Sequence, residues 1–255
     1  MLKALSCGAT GLNAQQLKVE TVTNNLANIS TTGFKKSRVE FSELVNQEVE
    51  KYGIPVAGRE ATEGSGVRVA QVARIFSPGN IVVTDRPLDL AIEGDGFLKV
   101  QMTSGEGGYT RGGSFNLDLE GNIVTSSGHR LEGIKLPPGS EKIAVTPTGQ
   151  VNVEKEGKWS EVGQLTLYKY TNPEDLTAAG ENIFLSQPAV VGGPSQGKPG
   201  DPGFGTVKQS SLEMANVDLL DEMTNLLEAQ RAYSLNARTL RTADEMWGMA
   251  NNLRK

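Results

Sequence analysis

The chain has 255 residues, of which 37% are hydrophobic and only 5% aromatic, and its formal net charge is −5. An acidic balance without a cluster of Lys and Arg excludes nucleic-acid binding, which needs a basic footprint to neutralise phosphates. A single cysteine, Cys7, excludes an intramolecular disulfide and a cysteine-based metal site. No apolar run approaches the roughly 18 residues of a membrane span, so no membrane insertion is expected. The start, Met1-Leu2-Lys3-Ala4-Leu5, lacks a basic stretch followed by an apolar one, so export would need a route other than a cleavable signal.

The first predicted element is a helix from Met1 to about Gly33. Leu5, Leu12, Val19 and Leu26 recur every seven residues, and Val22 and Ile29 follow Val19 and Leu26 by three. This is coiled-coil spacing, and Gly33 reads as the C-terminal stop. The opposite face carries Asn13, Gln15, Gln16, Thr21, Thr23, Asn24, Asn25 and Asn28, with charge only at Lys3, Lys18 and Glu20. Charge depletion marks surfaces buried between proteins, whereas an ordinary solvated helix carries more charge. One narrow seam does not stabilise such a helix alone, so it needs partners.

The middle of the chain reads as antiparallel β. Val67–Val72 alternates in part. Leu88–Val100 holds two apolar runs split by Gly94-Asp95-Gly96. Ile143–Val145 and Gln150–Val153 flank a turn at Pro147–Gly149, and Gln164–Tyr170 alternates. Short runs broken by Gly and Asn suggest a small barrel or sandwich. Residues 187–205, rich in Pro and Gly, read as a loop returning to a terminal helix.

That last helix is predicted from about Asn216 to Lys255. Leu219, Leu226, Tyr233, Leu240 and Trp247 recur every seven residues, and Met223, Gln230 and Ala237 lie four residues after the first three. Asn216 reads as the N-cap, with Asp218, Asp221 and Glu222 suited to the first turn. Its basic residues before Lys255 are all Arg, at 231, 238, 241 and 254, which suits fixed ion pairs. The expected fold is therefore α+β. Residues 1–45 and 206–255 form a discontinuous helical domain paired as a coiled coil, 46–84 an extended or β linker, and 85–205 a central antiparallel β domain.

No constellation for catalysis, cofactor or metal emerges. His129 is the one histidine and reads as a surface turn residue. Asn116–Asn122 has the look of a calcium loop, but Ser127 stands where a bidentate Glu is required, so a hairpin turn at Glu120-Gly121-Asn122 explains it better. Gly94-Asp95-Gly96 opens a strand, which does not fit a dinucleotide loop.

Asn24–Lys35 (Asn-Asn-Leu-Ala-Asn-Ile-Ser-Thr-Thr-Gly-Phe-Lys) resembles the N-terminal signature of bacterial flagellar rod and hook proteins. Asp89–Phe97, Tyr109–Phe115 and Gly121–Thr125 resemble that family's central β domain. Gln209–Glu213, Asn216–Asp218 and Glu228–Tyr233 resemble its C-terminal signature. The N-terminal signature covers about 5–35 and the C-terminal one about 209–253. Gly11–Gln16, Gly66–Arg68 and Ser77–Asn80 are most similar to distal-rod members, with the proximal rod next, while the segment Asn46–Gly64 is shorter than the distal-rod pattern.

The resemblance implies a non-enzymatic subunit of the flagellar basal body, outside the cytoplasmic membrane. Such a subunit is exported unfolded through the flagellar type III apparatus and polymerises helically into a hollow shaft that transmits torque. Its partners would be copies of itself, proximal-rod and hook or hook-adjacent axial proteins, and surrounding ring proteins. The expected assembly residues are Leu5, Leu12, Val19, Val22, Asn24, Asn25, Leu26, Asn28, Ile29, Gly33 and Phe34 at one end. At the other they are Leu219, Met223, Leu226, Gln230, Arg231, Tyr233, Ala237, Leu240 and Trp247. Two other readings remain at this point: a proximal-rod or hook-type axial protein, and a secreted enzyme or glycan-binding β domain on a helical stalk.

Overall fold

The computed structural model describes residues 2–46, 63–102, 105–137, 140, 142–155, 157–186 and 193–252. The short segment within Asn46–Gly64 falls almost wholly outside them. The chain divides into two compact units, each assembled from separated stretches.

The first unit comprises Met1–Ala27, Ser37–Arg74 and Asp218–Lys255. It holds helix α1 (Leu2–Ala27), strands β1 (Ser37–Asn46) and β2 (Glu63–Arg74), and helix α2 (Leu219–Asn252). β1 and β2 pair antiparallel, with register shifts between Glu40 and Phe41 and between Glu43 and Val45. β2 falls inside the stretch 46–84 read from the sequence as an extended or β linker.

Two predicted helix ends differ from the structure. α1 stops at Ala27, so Asn28 and Ile29 lie in the turn that follows, where the Thr31 N–H donates to the Asn28 carbonyl at 3.0 Å. Gly33 is not that helix's stop. It sits at φ +69°, and a Cβ there would lie 2.6 Å from the Gly112 nitrogen, so a close backbone crossing is what requires glycine. At the other end, Asp218 caps α2, accepting from the N–H groups of Leu220 at 2.8 Å and Asp221 at 3.2 Å. Asn216, the expected cap, works elsewhere. It accepts from the Lys36 N–H and donates to the Ile75 and Ser77 carbonyls.

The second unit comprises Asn28–Lys36 and Ile75–Val217. Its largest sheet is antiparallel and runs in the order Thr177–Gly180, Ile183–Leu185, Gly107–Thr110, Phe97–Gln101, Arg130–Lys135, Asn122–Thr125, Phe115–Leu117. Among the described residues this path has two ends and does not close into the expected barrel. A three-stranded sheet of Lys142–Val145, Gln150–Lys155 and Lys158–Gln164 includes the turn foreseen at Pro147–Gly149.

Alternation along Phe97–Gln101 divides the core. Leu98 and Val100 join an aliphatic cluster with Ile92, Ile134, Val151, Val153 and Leu167, while Phe97 points into an aromatic cluster with Tyr109, Tyr170 and Phe184. Rings there meet edge to face, with Phe76 and Phe184 centroids 5.1 Å apart.

Three charged side chains are buried together in this unit. Glu213, 1% exposed, pairs through one oxygen with Lys35 and through the other with the Arg111 Nε at 3.0 Å. The first oxygen also accepts from the Gly79 N–H at 2.9 Å. Lys35 donates to the Ser77 carbonyl at 2.7 Å, and Arg111 donates to the Gly94 carbonyl and stacks over Phe97. Burial pushes Lys35 below the ordinary lysine range. The attraction of Glu213 opposes this and the like charge of Arg111 adds to it.

Asp218→Ala removes one cap and should cost about 0.5–2 kcal/mol, with amide exchange rising only in the first turn of α2. Asn216→Ala should instead raise exchange around Lys36, Ile75 and Ser77 and leave that turn protected. For pH, a depressed lysine pKa means that the unfolded chain binds more protons just below about pH 10.5. The Lys35 contribution to stability is then complete above that value and declines as pH falls through the folded pKa. The stability difference between the wild type and Lys35→Met, followed by urea unfolding, should shift in favour of the wild type as pH rises through this window.

Candidate assembly interface

In the first unit α1 and α2 run antiparallel. A Cβ on Gly8 would lie 3.2 Å from Leu240 Cδ1, and one on Gly11 would lie 2.9 Å from Asn236 Nδ2, while Asn25 meets Glu222. The contact line is made mostly of small and polar residues, with Val22 and Leu240 also on it. Ala14, Val22 and Asn25 are buried on α1, and Glu222, Ala229 and Ala243 on α2. Small side chains let helix axes approach at the short end of the usual range.

Asn25 is the polar anchor of this pair. Its side chain is 1% exposed. It donates to the Ser37 carbonyl at 2.9 Å and to Glu222 Oε2 at 3.1 Å, and it accepts from the Ser37 N–H at 2.9 Å. One amide thus ties α1 to α2 and to the first residue of β1. The hairpin is also fastened at β2, where the Val67 N–H donates to Thr10 Oγ1 at 3.4 Å.

Most members of the seven-residue stripes read from the sequence lie beside this line and not on it, although Leu240 packs against Gly8. Leu5, Leu12, Val19 and Leu26 are half-buried flanks, as are Leu226, Ala237 and Leu240. Leu219, Met223, Tyr233 and Trp247 are exposed at 47, 48, 42 and 43%, and Gln230, Arg231 and Asn24 are also on the surface. Val22 and Asn25 face inward within the chain. Asn28 and Ile29 are half-buried in the turn after α1, and Gly33 and Phe34 are buried in the second unit.

Sequence reasoning missed Gly8, Gly11, Ala229, Asn236 and Ala243, because hydrophobic periodicity follows large side chains. Their signal was a second seven-residue series, Glu222, Ala229, Asn236 and Ala243, in which every member is small or polar. It also missed Leu220, Leu227, Leu235, Met246 and Met249, which are exposed too. Apolar side chains therefore lie uncovered around much of α2. A separate groove of about 450 Å³ between the two helices is lined by Gln16, Val19, Glu20, Gln230 and Tyr233.

The side chains weighed for chemistry serve turns. His129 follows the strand Asn122–Thr125, and its Nε2 lies 3.0 Å from Glu181 Oε2; only 12% of the side chain is exposed, so it is more covered than a surface turn histidine. Hydrogen bonds from Ser127 and His129 hold the Glu181 carboxyl below its ordinary range. Asp118 Oδ1 accepts from the N–H groups of Glu120 and Asn122, both at 2.8 Å, the hairpin turn expected in place of a calcium loop. Among the described residues no helix is long and apolar enough to cross a membrane.

Three family models match in chain order. A model described as "Flagella basal body rod protein" matches residues 5–35, "Flagellar hook protein FlgE/F/G D1 domain" matches 91–153, and "Flagellar basal body rod FlgEFG protein C-terminal" matches 208–253. The chain is 39% identical over 254 residues to the flagellar basal-body rod protein FlgG of Agrobacterium fabrum, covering 96% of this chain and 97% of that one. It is 39% identical over 262 residues to FlgG of Caulobacter vibrioides, at 99% and 100% coverage, and 38% identical over 265 residues to FlgG of Borreliella burgdorferi, at 100% of both.

Helices at the two ends of the sequence with a β-rich stretch between them, and family matches in each part, define a flagellar axial protein, a structural class and not an enzyme. More particularly, the chain belongs to the FlgG family of flagellar basal-body rod proteins, and it is a structural subunit of the distal rod.

The two surfaces of α2 separate by mutation. Ala229→Leu overpacks the buried line and should destabilise the isolated chain by about 1–3 kcal/mol. Met223→Ser, on the uncovered side, should change its stability by no more than about 0.5 kcal/mol. Thermal unfolding followed by far-UV circular dichroism checks both.

Proposed function

We propose that the uncovered apolar surface of α2, with the flanks of α1, forms the contact between successive subunits of the rod. In the polymer the stripes Leu5, Leu12, Val19, Leu26 and Leu219, Leu226, Tyr233, Leu240, Trp247 become coiled-coil seams between neighbouring copies. The observation that carries this is the spread of exposed large side chains around α2, from Leu219 to Met249. A helix apolar on several sides is buried on several sides, which a single partner helix does not achieve. Each such side chain is worth roughly 1.5–3 kcal/mol when fully covered. Repetition along a helical lattice turns that into a stiff shaft able to carry torque. The same reading takes proximal-rod and hook-adjacent axial proteins as end neighbours, the flagellar type III apparatus as exporter, and ring proteins as surroundings.

The test is complementation of a strain lacking its rod protein. Met223→Glu and Leu226→Asp should abolish swimming and filament formation, because a carboxylate would be buried unpaired at every subunit contact. His129→Ala should swim normally. A motile Met223→Glu strain would refute the contact assignment, and a non-motile His129→Ala strain with normal rods would point to chemistry at that turn.

A further inference from the structure

The second unit is closed by its own last segment. Thr206–Gln209 pairs with Leu90–Glu93, and Ser211–Glu213 pairs with Ile81–Val83. Gln209 reaches across the aliphatic core's edge, accepting from the Val145 N–H and donating to the Pro87 and Ile143 carbonyls. The Glu213 carbonyl accepts from the Gly33 N–H at 2.8 Å. Asn216 then holds Lys36, Ile75 and Ser77. The segment thus bonds to stretches from both the start and the middle of the unit.

Its charge matters as much as its strands. Lys35 and Arg111 are buried, at 1% and 3% exposure, and the only carboxylate found with them among the described residues is Glu213. Each keeps one backbone carbonyl without it, Ser77 for Lys35 and Gly94 for Arg111. Two cations left together in a dry site without a counter-charge are strongly unfavourable. The unit therefore has a reason not to close around Lys35 and Arg111 until Glu213 is in place.

We propose that residues 206–216 are a locking strap, and that seating Glu213 between Lys35 and Arg111 is the step that completes the β unit. A chain delivered from its N-terminus holds this unit open until Glu213 has been delivered, although most of the sheet residues precede it. The device is a charge-coded check that both ends of the unit are present. It keeps an incomplete chain from becoming a stable folded body.

Native-state hydrogen exchange on the full chain tests this with three proteins. In Glu213→Gln, protection at Leu98, Val100, Ile134 and Val153 should fall together, on the order of 100-fold or more. Loss confined to the two ladders at 81–83 and 211–213, with the core still protected, would overturn the proposal. A triple variant, Lys35→Met, Arg111→Met and Glu213→Leu, removes the charge requirement and should restore core protection to within about tenfold of the wild type, since apolar replacement of a buried ion cluster is commonly tolerated. If the triple variant stays unprotected while Glu213→Gln is unfolded, the loss does not arise from unpaired cations and the lock is refuted.

Discussion

A single buried carboxylate organises the β unit. Glu213 sits between Lys35 and Arg111, three residues drawn from the start, middle and end of the chain. Such a cluster is a poor source of net stability, because dehydrating three charges consumes most of what their attraction returns. Its value is specificity. Glu213 is satisfied only when the turn at Gly33–Lys35, the strand end at Arg111 and the Ser77–Gly79 bend converge. The close backbone crossing at Gly33 and Gly112 follows from the same convergence.

The helical unit uses a different device. Asn25 replaces a charge cluster with one amide that satisfies a backbone pair and a carboxylate together. Around it, glycine and alanine bring the helices close, so the large apolar side chains are displaced to the flanks and beyond. A chain that spent its leucines on its own helix pair would have little left to offer a neighbour. This one pairs its helices through small residues and leaves Leu219, Met223, Tyr233 and Trp247 largely uncovered. The residues that pair the helices and the large apolar residues left exposed are thereby different members of the same helix.

Much of this was legible in advance. Helices at both ends, antiparallel β between them and the turns at Pro147–Gly149 and Glu120–Asn122 are local properties of spacing and composition, and the flagellar signatures were legible as a resemblance of short motifs to a known family. The helix ends were less so. Asn216 and Asp218 are both good capping residues, and the cap went to Asp218 because Asn216 is committed to Lys36, Ile75 and Ser77. Asn28 and Ile29 continued the heptad count but fell in a turn. The Asn-rich face looked like one surface, yet Asn25 is buried inside the chain while Asn24 is exposed.

The element types, the resemblance to flagellar proteins and a surplus of apolar helix surface were readable from the sequence alone. All of these depend on residues near each other along the chain. Which seven-residue series is buried within the chain and which stays exposed came from the tertiary structure alone, because it depends on how closely two distant helices approach. That structure alone joined Lys35, Arg111 and Glu213, since nothing in a one-dimensional pattern says which charges will share a site once water is removed. There, partners are selected by desolvation, and desolvation is a property of the assembled fold.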